Sequence, residues 1–291
     1  MKTCVIEACI DLGTHVDGAK YGPSKIVENM NLENVKKVET RPIEKSHDPQ
    51  DRYKNMDEIN RFNEELYNVE RDAINDGYFP ITLGGDHSLA IGSALASNSI
   101  HDNLGIIWID SHGDFNTPET TITGNVHGYP FAAICGYENK EFVEFHKGNF
   151  FNPKNAVLVG GRDIDIPLEV QNLKDAGVTV FTTEDILKYG AKSIMEKAFT
   201  IAGNNTNGIH ISYDLDSIDP EVAPGVSIKA KDGFNKDEAY NILDSIVEHS
   251  NLVKSMDIVE FNPIYDKDDK TLEIARHILN TTINTKENES N

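Results

Sequence analysis

Three cysteines in 291 residues, Cys4, Cys9 and Cys135, are too few and too scattered for a disulfide framework or a thiolate metal site. They read as buried or half-buried thiols. Basic charge is also short: 27 Lys and Arg stand against 48 Asp and Glu, a formal net charge of −21. So acidic a surface repels phosphate backbones and anionic lipid, which counts against nucleic-acid and membrane-surface partners. Long apolar runs are missing as well. No stretch approaches the ~20 residues of a membrane span, and the first residues lack the apolar centre of a secretory signal, so the chain reads as cytoplasmic. No repeat, Pro-rich linker or composition break divides residues 1–291, which predicts a single domain.

The 38% of hydrophobic residues suffices for a sizeable core. Short apolar runs alternate with amphipathic segments throughout, the pattern of a mostly parallel sheet covered by helices on both faces, a three-layer α/β/α fold. Strands are expected at 5–10, 79–83, 104–109, 156–159, 178–181, 208–213 and 253–259. Helices are expected through 59–73, where Ile59, Phe62, Leu66, Val69 and Ala73 recur at spacings of three and four, and at 88–96, 167–176, 184–202, 236–249 and 271–280. The polar stretch 45–55 reads as a surface excursion, and 284–291 as a frayed acidic tail.

In a parallel sheet, ligands collect where the carboxyl ends of the strands open into loops. Three such ends carry charge. Gly84-Gly85-Asp86-His87-Ser88 follows one strand, and its paired glycines let the backbone come close and aim His87 off the strand end. Asp110-Ser111-His112-Gly113-Asp114 follows a wholly apolar strand, where uncompensated buried charge is costly. Positions 110 and 114 would lie roughly 13 Å apart on an extended chain, so Gly113 is expected to let the chain curl and bring the three groups together. Asp214-Leu215-Asp216 places two carboxylates on one side of a third strand end, where they need a cation or a shared proton. Asp219, before Pro220, reads as a turn former.

The pooled set is His87, Asp110, His112, Asp114, Asp214 and Asp216, without a thiolate. Oxygen-rich ligation with some imidazole suits Mn²⁺ better than structural zinc. Two divalent ions would balance the four aspartates, and such a pair makes hydroxide available at neutral pH, which points to hydrolysis.

In order and spacing, these three segments resemble the metal signatures of the arginase (ureohydrolase) family, with further likeness from Asp11-Leu12-Gly13 and Gly22-Pro23-Ser24 to about residue 280. The resemblance implies a binuclear manganese hydrolase that cleaves a guanidinium group and releases urea, a C–N hydrolase of linear amidines. It implies one ion held by His87, Asp110, Asp114 and Asp214 and another by Asp110, His112, Asp214 and Asp216. Asp114 would be the proton donor to the departing amine. Family members are commonly trimers or hexamers, so a homo-oligomer is expected.

The segment Asn116 to Gly128 resembles the arginase loop that binds an amino-acid carboxylate. Asn116, Thr123 and Asn125 would supply neutral donors there, and His127 would shuttle protons. By position Asp165 would meet the substrate α-amino group. Glu260, in Met256 to Pro263, would hold the guanidinium through two parallel N–H bonds. Asp257 is expected to point to the opposite face. One segment departs from the family: Ile228 and Lys229 stand where a threonine and a proline are usual, and Ser111 stands where alanine is commoner. L-arginine hydrolysis to L-ornithine and urea is the first reading. The alternatives are agmatine, guanidinobutyrate or formimidoylglutamate hydrolysis, and a catalytically weak, metal-stabilised relative.

Overall fold

A computed structural model describes residues 1–164 and 167–289. Its strands are β1 (Thr3–Cys9), β2 (Val35–Glu39), β3 (Phe79–Gly84), β4 (Gly105–Ile109), β5 (Ala156–Gly161), β6 (Thr179–Thr182), β7 (Ile209–Asp214) and β8 (Val253–Val259). They form one sheet of eight strands in the order β2-β1-β3-β8-β7-β4-β5-β6, and every strand pairing in it is parallel. The helices are α1 (Gly22–Val27), α2 (Met56–Asn75), α3 (Ala90–His101), α4 (Pro130–Ile134), α5 (Pro167–Ala176), α6 (Thr183–Tyr189), α7 (Ala191–Ala202), α8 (Lys236–Glu248) and α9 (Lys270–Asn288).

Alternation along the strands builds two cores. Ile107 and Ile109 face α1 and α6 to α9, whereas Ile106 and Trp108 face α2 to α5. The three-layer arrangement is thus present. Because β3 and β4 are separated by β8 and β7, the chain reverses direction across the sheet, and the carboxyl ends of four adjacent strands, β3, β8, β7 and β4, open into one crevice.

The structure corrects several expectations. β2 went unforeseen because its pattern is weak: only Val38 is buried, beside Lys36 and Lys37, as befits a sheet edge that lysines keep from pairing further. The helix expected over 184–202 is two helices interrupted at Gly190. The tail is helical through Asn288, and Lys286 is buried against the Phe79 ring with its Nζ donating to the carbonyls of Ser250 and Val253. The stretch 45–55 is more than a surface excursion. Arg52 Nη1 donates to the carbonyls of Thr121 and Ile122 at 2.6 and 3.1 Å, and buried Lys54 donates to that of Thr123 at 2.6 Å. None of the described helices is long and apolar enough to cross a membrane.

Candidate metal centre and active site

His87 follows β3 in a short 3-10 turn capped by Asp86, whose Oδ1 accepts from Ser88 N at 3.0 Å and whose Oδ2 accepts from Gly13 N at 2.8 Å. Gly85 permits the close approach expected of it, since a Cβ there would lie 1.7 Å from the Ile10 carbonyl oxygen. The His87 ring stacks on Trp108 at 4.0 Å between centroids, and its Nε2 meets Ser212 Oγ at 2.8 Å. That leaves Nδ1 facing inward, 3.1, 3.2 and 3.0 Å from carboxylate oxygens of Asp110, Asp114 and Asp214.

Three of the aspartates, Asp110, Asp214 and Asp216, have an oxygen tethered by a neighbouring donor and another that faces an imidazole. Asp110 Oδ1 accepts from His112 N at 2.7 Å, and its Oδ2 accepts from Trp108 Nε1 at 2.9 Å while facing His87. Asp214 Oδ1 accepts from Asp216 N at 2.7 Å, leaving Oδ2 for the site. Asp216 Oδ1 accepts from Ser111 Oγ at 2.7 Å, and its Oδ2 lies 3.1 Å from His112 Nδ1.

The curl after β4 is made differently from what the sequence suggested. Asp114 itself takes the left-handed conformation, with φ +47°, whereas Gly113 does not. A side chain at 113 would instead collide with Glu169, 2.6 Å from its Oε1. Glu260 has φ +67°, a second strained non-glycine residue of the site, and backbone strain of this kind costs about 1–3 kcal/mol.

Two groups of donors have atoms within 4.8 Å of one another, His87 with Asp110 and Asp214, and Asp110 with His112 and Asp216. Asp110 belongs to both. Burial, then the Asp110 charge, pushes Asp114 up to about 7. Burial, Asp216 and Asp110 push Asp214 well above the usual carboxylate range. Burial also raises Asp110, but the His112 and His87 imidazoles outweigh it and hold that carboxyl well below its ordinary value. Burial lowers the basicity of both imidazoles, and the carboxylates around them more than reverse it. Despite three close oxygens, His87 Nδ1 has no hydrogen-bond partner among the described residues. An orphaned imidazole nitrogen ringed by buried carboxylates fits a divalent cation, which supplies the charge that they lack.

Above this cluster, Glu260 Oε1 accepts from His87 N at 2.9 Å and lies 3.4 Å from His127 Nδ1, while its Oε2 is buried without a partner. The His127 side chain is 18% exposed, so it reaches both solvent and site. Burial pushes Glu260 up, and the same burial lowers His127 until Glu260 reverses it. In the loop beyond β4, Asn116 N donates to Gly128 O at 3.0 Å, and Asn125 N donates to Thr123 Oγ1 at 3.2 Å. Arg52 and Lys54 occupy three successive carbonyls of this loop, those of Thr121, Ile122 and Thr123. Asp165 lies outside the described residues. Asp257 does point away, where Ser93 Oγ of α3 and His210 Nε2 of β7 meet it at 2.8 and 3.1 Å. Asp219 acts as a turn former, accepting from Glu221 N and Gly233 N.

Sequence reasoning passed over several supports. Buried Glu169 of α5 accepts from Phe115 N at 2.9 Å and is pushed by burial to about 7. Arg162 gives its guanidinium to the carbonyls of Asp216, Ser217, Ala230 and Lys231, which braces the Asp216 loop. No local pattern announces either, because their partners are distant in sequence. The altered segment is seated beside Glu260: Val226 bridges Phe261, Ser227 Oγ accepts from Asn262 Nδ2 at 3.1 Å, and Ile228 is half-buried.

A family model described as Arginase family matches residues 1–284. An arginase of Staphylococcus aureus (strain COL) is 39% identical over 246 residues, which cover 84% of this chain and 80% of that protein. An arginase of Bacillus caldovelox is 30% identical over 296 aligned residues, with 97% and 98% covered. The crystal structure of arginase from Bacillus subtilis superposes with a TM-score of 0.85 at 32% identity, over 97% of this chain and 98% of that one.

Proposed function

Since this chain belongs to the arginase family and is a hydrolase of the ureohydrolase class, we propose that it converts L-arginine and water to L-ornithine and urea, with two Mn²⁺ ions per chain. The observation that carries this reading is the unpartnered, buried Oε2 of Glu260, whose other oxygen bonds His87 of a cluster of carboxylates and imidazoles suited to cations. In this reading His87, Asp110, Asp114 and Asp214 hold one ion, and Asp110, His112, Asp214 and Asp216 hold the other. Bound divalent ions supply Lewis acidity that makes water nucleophilic at neutral pH.

The protein's own groups do the rest. Glu260 accepts N–H bonds from the planar guanidinium and orients its carbon toward the cluster. Asp114 takes a proton and passes it to the departing amine, a task open to a carboxylate beside the nucleophile. Asn116, Thr123 and Asn125 hold the substrate carboxylate, and Asp165 meets the α-amino group. Glu169 and Ser111 hold such groups in place, Glu169 through the backbone of Phe115 and Ser111 through Asp216.

His127 moves protons between solvent and the site. His127→Asn is expected to keep its full metal content while kcat falls about 10²-fold, the scale of a lost proton-transfer group. Elemental analysis beside steady-state kinetics checks this, and loss of metal would reassign the histidine.

Urea release from arginine, agmatine and guanidinobutyrate, beside formamide release from formimidoylglutamate, tests the substrate. Arginine is expected to exceed agmatine in kcat/KM by up to about 10⁴-fold, because a site built to bond a carboxylate leaves its donors unpaired without one. Equal use of the two would remove the arginine assignment.

A further inference from the structure

His15 lies on the loop after β1 and was assigned no role by the sequence. The same loop is tied to the site, because Gly13 O accepts from His127 N at 3.0 Å. His15 is exposed, and its Nδ1 lies 3.0 Å from Asn125 Nδ2. An amide nitrogen only donates, so His15 Nδ1 must accept and the ring proton sits on Nε2. A neutral N–H donor therefore stands beside a residue placed in the carboxylate subsite. Its surroundings favour the neutral form: partial desolvation of the ring first, then His127, Lys45, Lys54 and His47 hold its basicity below that of an ordinary histidine. Those cationic and imidazole neighbours also form a local field favourable to an anion in a chain whose net charge is −21.

We propose that His15 is a specificity-determining residue, whose Nε2–H donates to the carboxylate of the substrate head group while its Nδ1 fixes the orientation of the Asn125 amide. This rests on the arginine-hydrolase reading above. A hydrogen bond to a charged group that is present in the bound ground state and in the transition state alike affects binding more than turnover.

The test uses the manganese-loaded protein and its His15→Ala and His15→Gln variants. L-Ornithine carries the full head group, and 1,4-diaminobutane carries the same amine chain without the carboxylate, so inhibition constants for both are measured beside kcat and KM for L-arginine. His15→Ala is expected to raise KM for arginine and Ki for ornithine about tenfold, with kcat within threefold and Ki for the diamine unmoved. His15→Gln, which keeps one donor and one acceptor, is expected to restore most of the loss. Equal weakening of ornithine and the diamine, a fall in kcat with KM unmoved, or no change in either constant would overturn the inference while the arginine reading stood. A wild-type protein that releases no urea from arginine and binds ornithine no better than the diamine would overturn both.

Discussion

Asp110→Asn and Asp214→Asn are each expected to strip the protein of metal and of urea-releasing activity together. Asp110 stands in both donor groups, and Asp214 Oδ2 is 3.0 Å from the inward nitrogen of His87. An asparagine would keep the tethering bond from Asp216 N to Oδ1, so the loop should fold as before. Its amide nitrogen would then replace an inward carboxylate oxygen with a neutral group that cannot ligate. Removing one partner from a buried set of charges costs about 3–5 kcal/mol, which is two to three orders of magnitude or more in ion affinity.

The metal-free protein should respond in the opposite sense. There Asp214 is one of several crowded carboxylates, pushed up by burial and by Asp216 and Asp110, so Asp214→Asn should melt at or above the metal-free wild type. Manganese should raise the wild-type melting temperature by on the order of 5 °C and leave the variant unmoved. A variant that binds and responds to manganese as wild type does would remove Asp214 from the ligand set.

Removing the metal is expected to reverse the pH dependence of stability. Asp114 has its folded value raised from 3.8 to about 7, so its contribution is fully present below about pH 4 and is lost as the pH rises through 7. Asp214, His87 and His112 are raised as well and act with the same sign. Asp110 is lowered, so its contribution would be lost only in strong acid and does not oppose the trend near neutrality. The metal-free protein should therefore be more stable at pH 5.5 than at pH 8. Cations displace those protons, so metal binding should tighten with rising pH and release acid. Melting curves at the two values with and without manganese, together with elemental analysis, check this. A metal-free protein that gains stability with pH, or a single ion per chain, would count against the proposed centre.

Legibility was uneven. The strands at 79–83, 104–109, 208–213 and 253–259 were readable because nearly fully buried parallel strands are rich in apolar residues, although 208–213 and 253–259 also bury His210, Ser212, Ser255 and Asp257. The edge strand β2 was not, because one buried residue in five leaves no period to detect. The helix break at Gly190 was missed since both halves continue the same amphipathic pattern, and the helical tail was missed because Lys286 is buried by contacts with Phe79 of β3 and Val253 of β8.

The sequence by itself determined the donor inventory. Four aspartates and two histidines at three strand ends state a charge that needs cations, and their order and spacing are a local property of each segment. Only the tertiary structure decided how those ends meet. The order β3-β8-β7-β4 brings together residues more than a hundred positions apart, so His87 faces Asp214 and donates its backbone N–H to Glu260. It also decided that one oxygen of Asp214 is tethered by Asp216 N and the other faces His87, that Asp114 and not Gly113 carries the curl, and that Arg52 and Lys54 bond the carbonyls of Thr121 to Thr123 while His15 lies against Asn125. Periodicity reports which side of an element is buried. Which distant group lies against that side is set by sheet order and loop packing, and no local pattern encodes it.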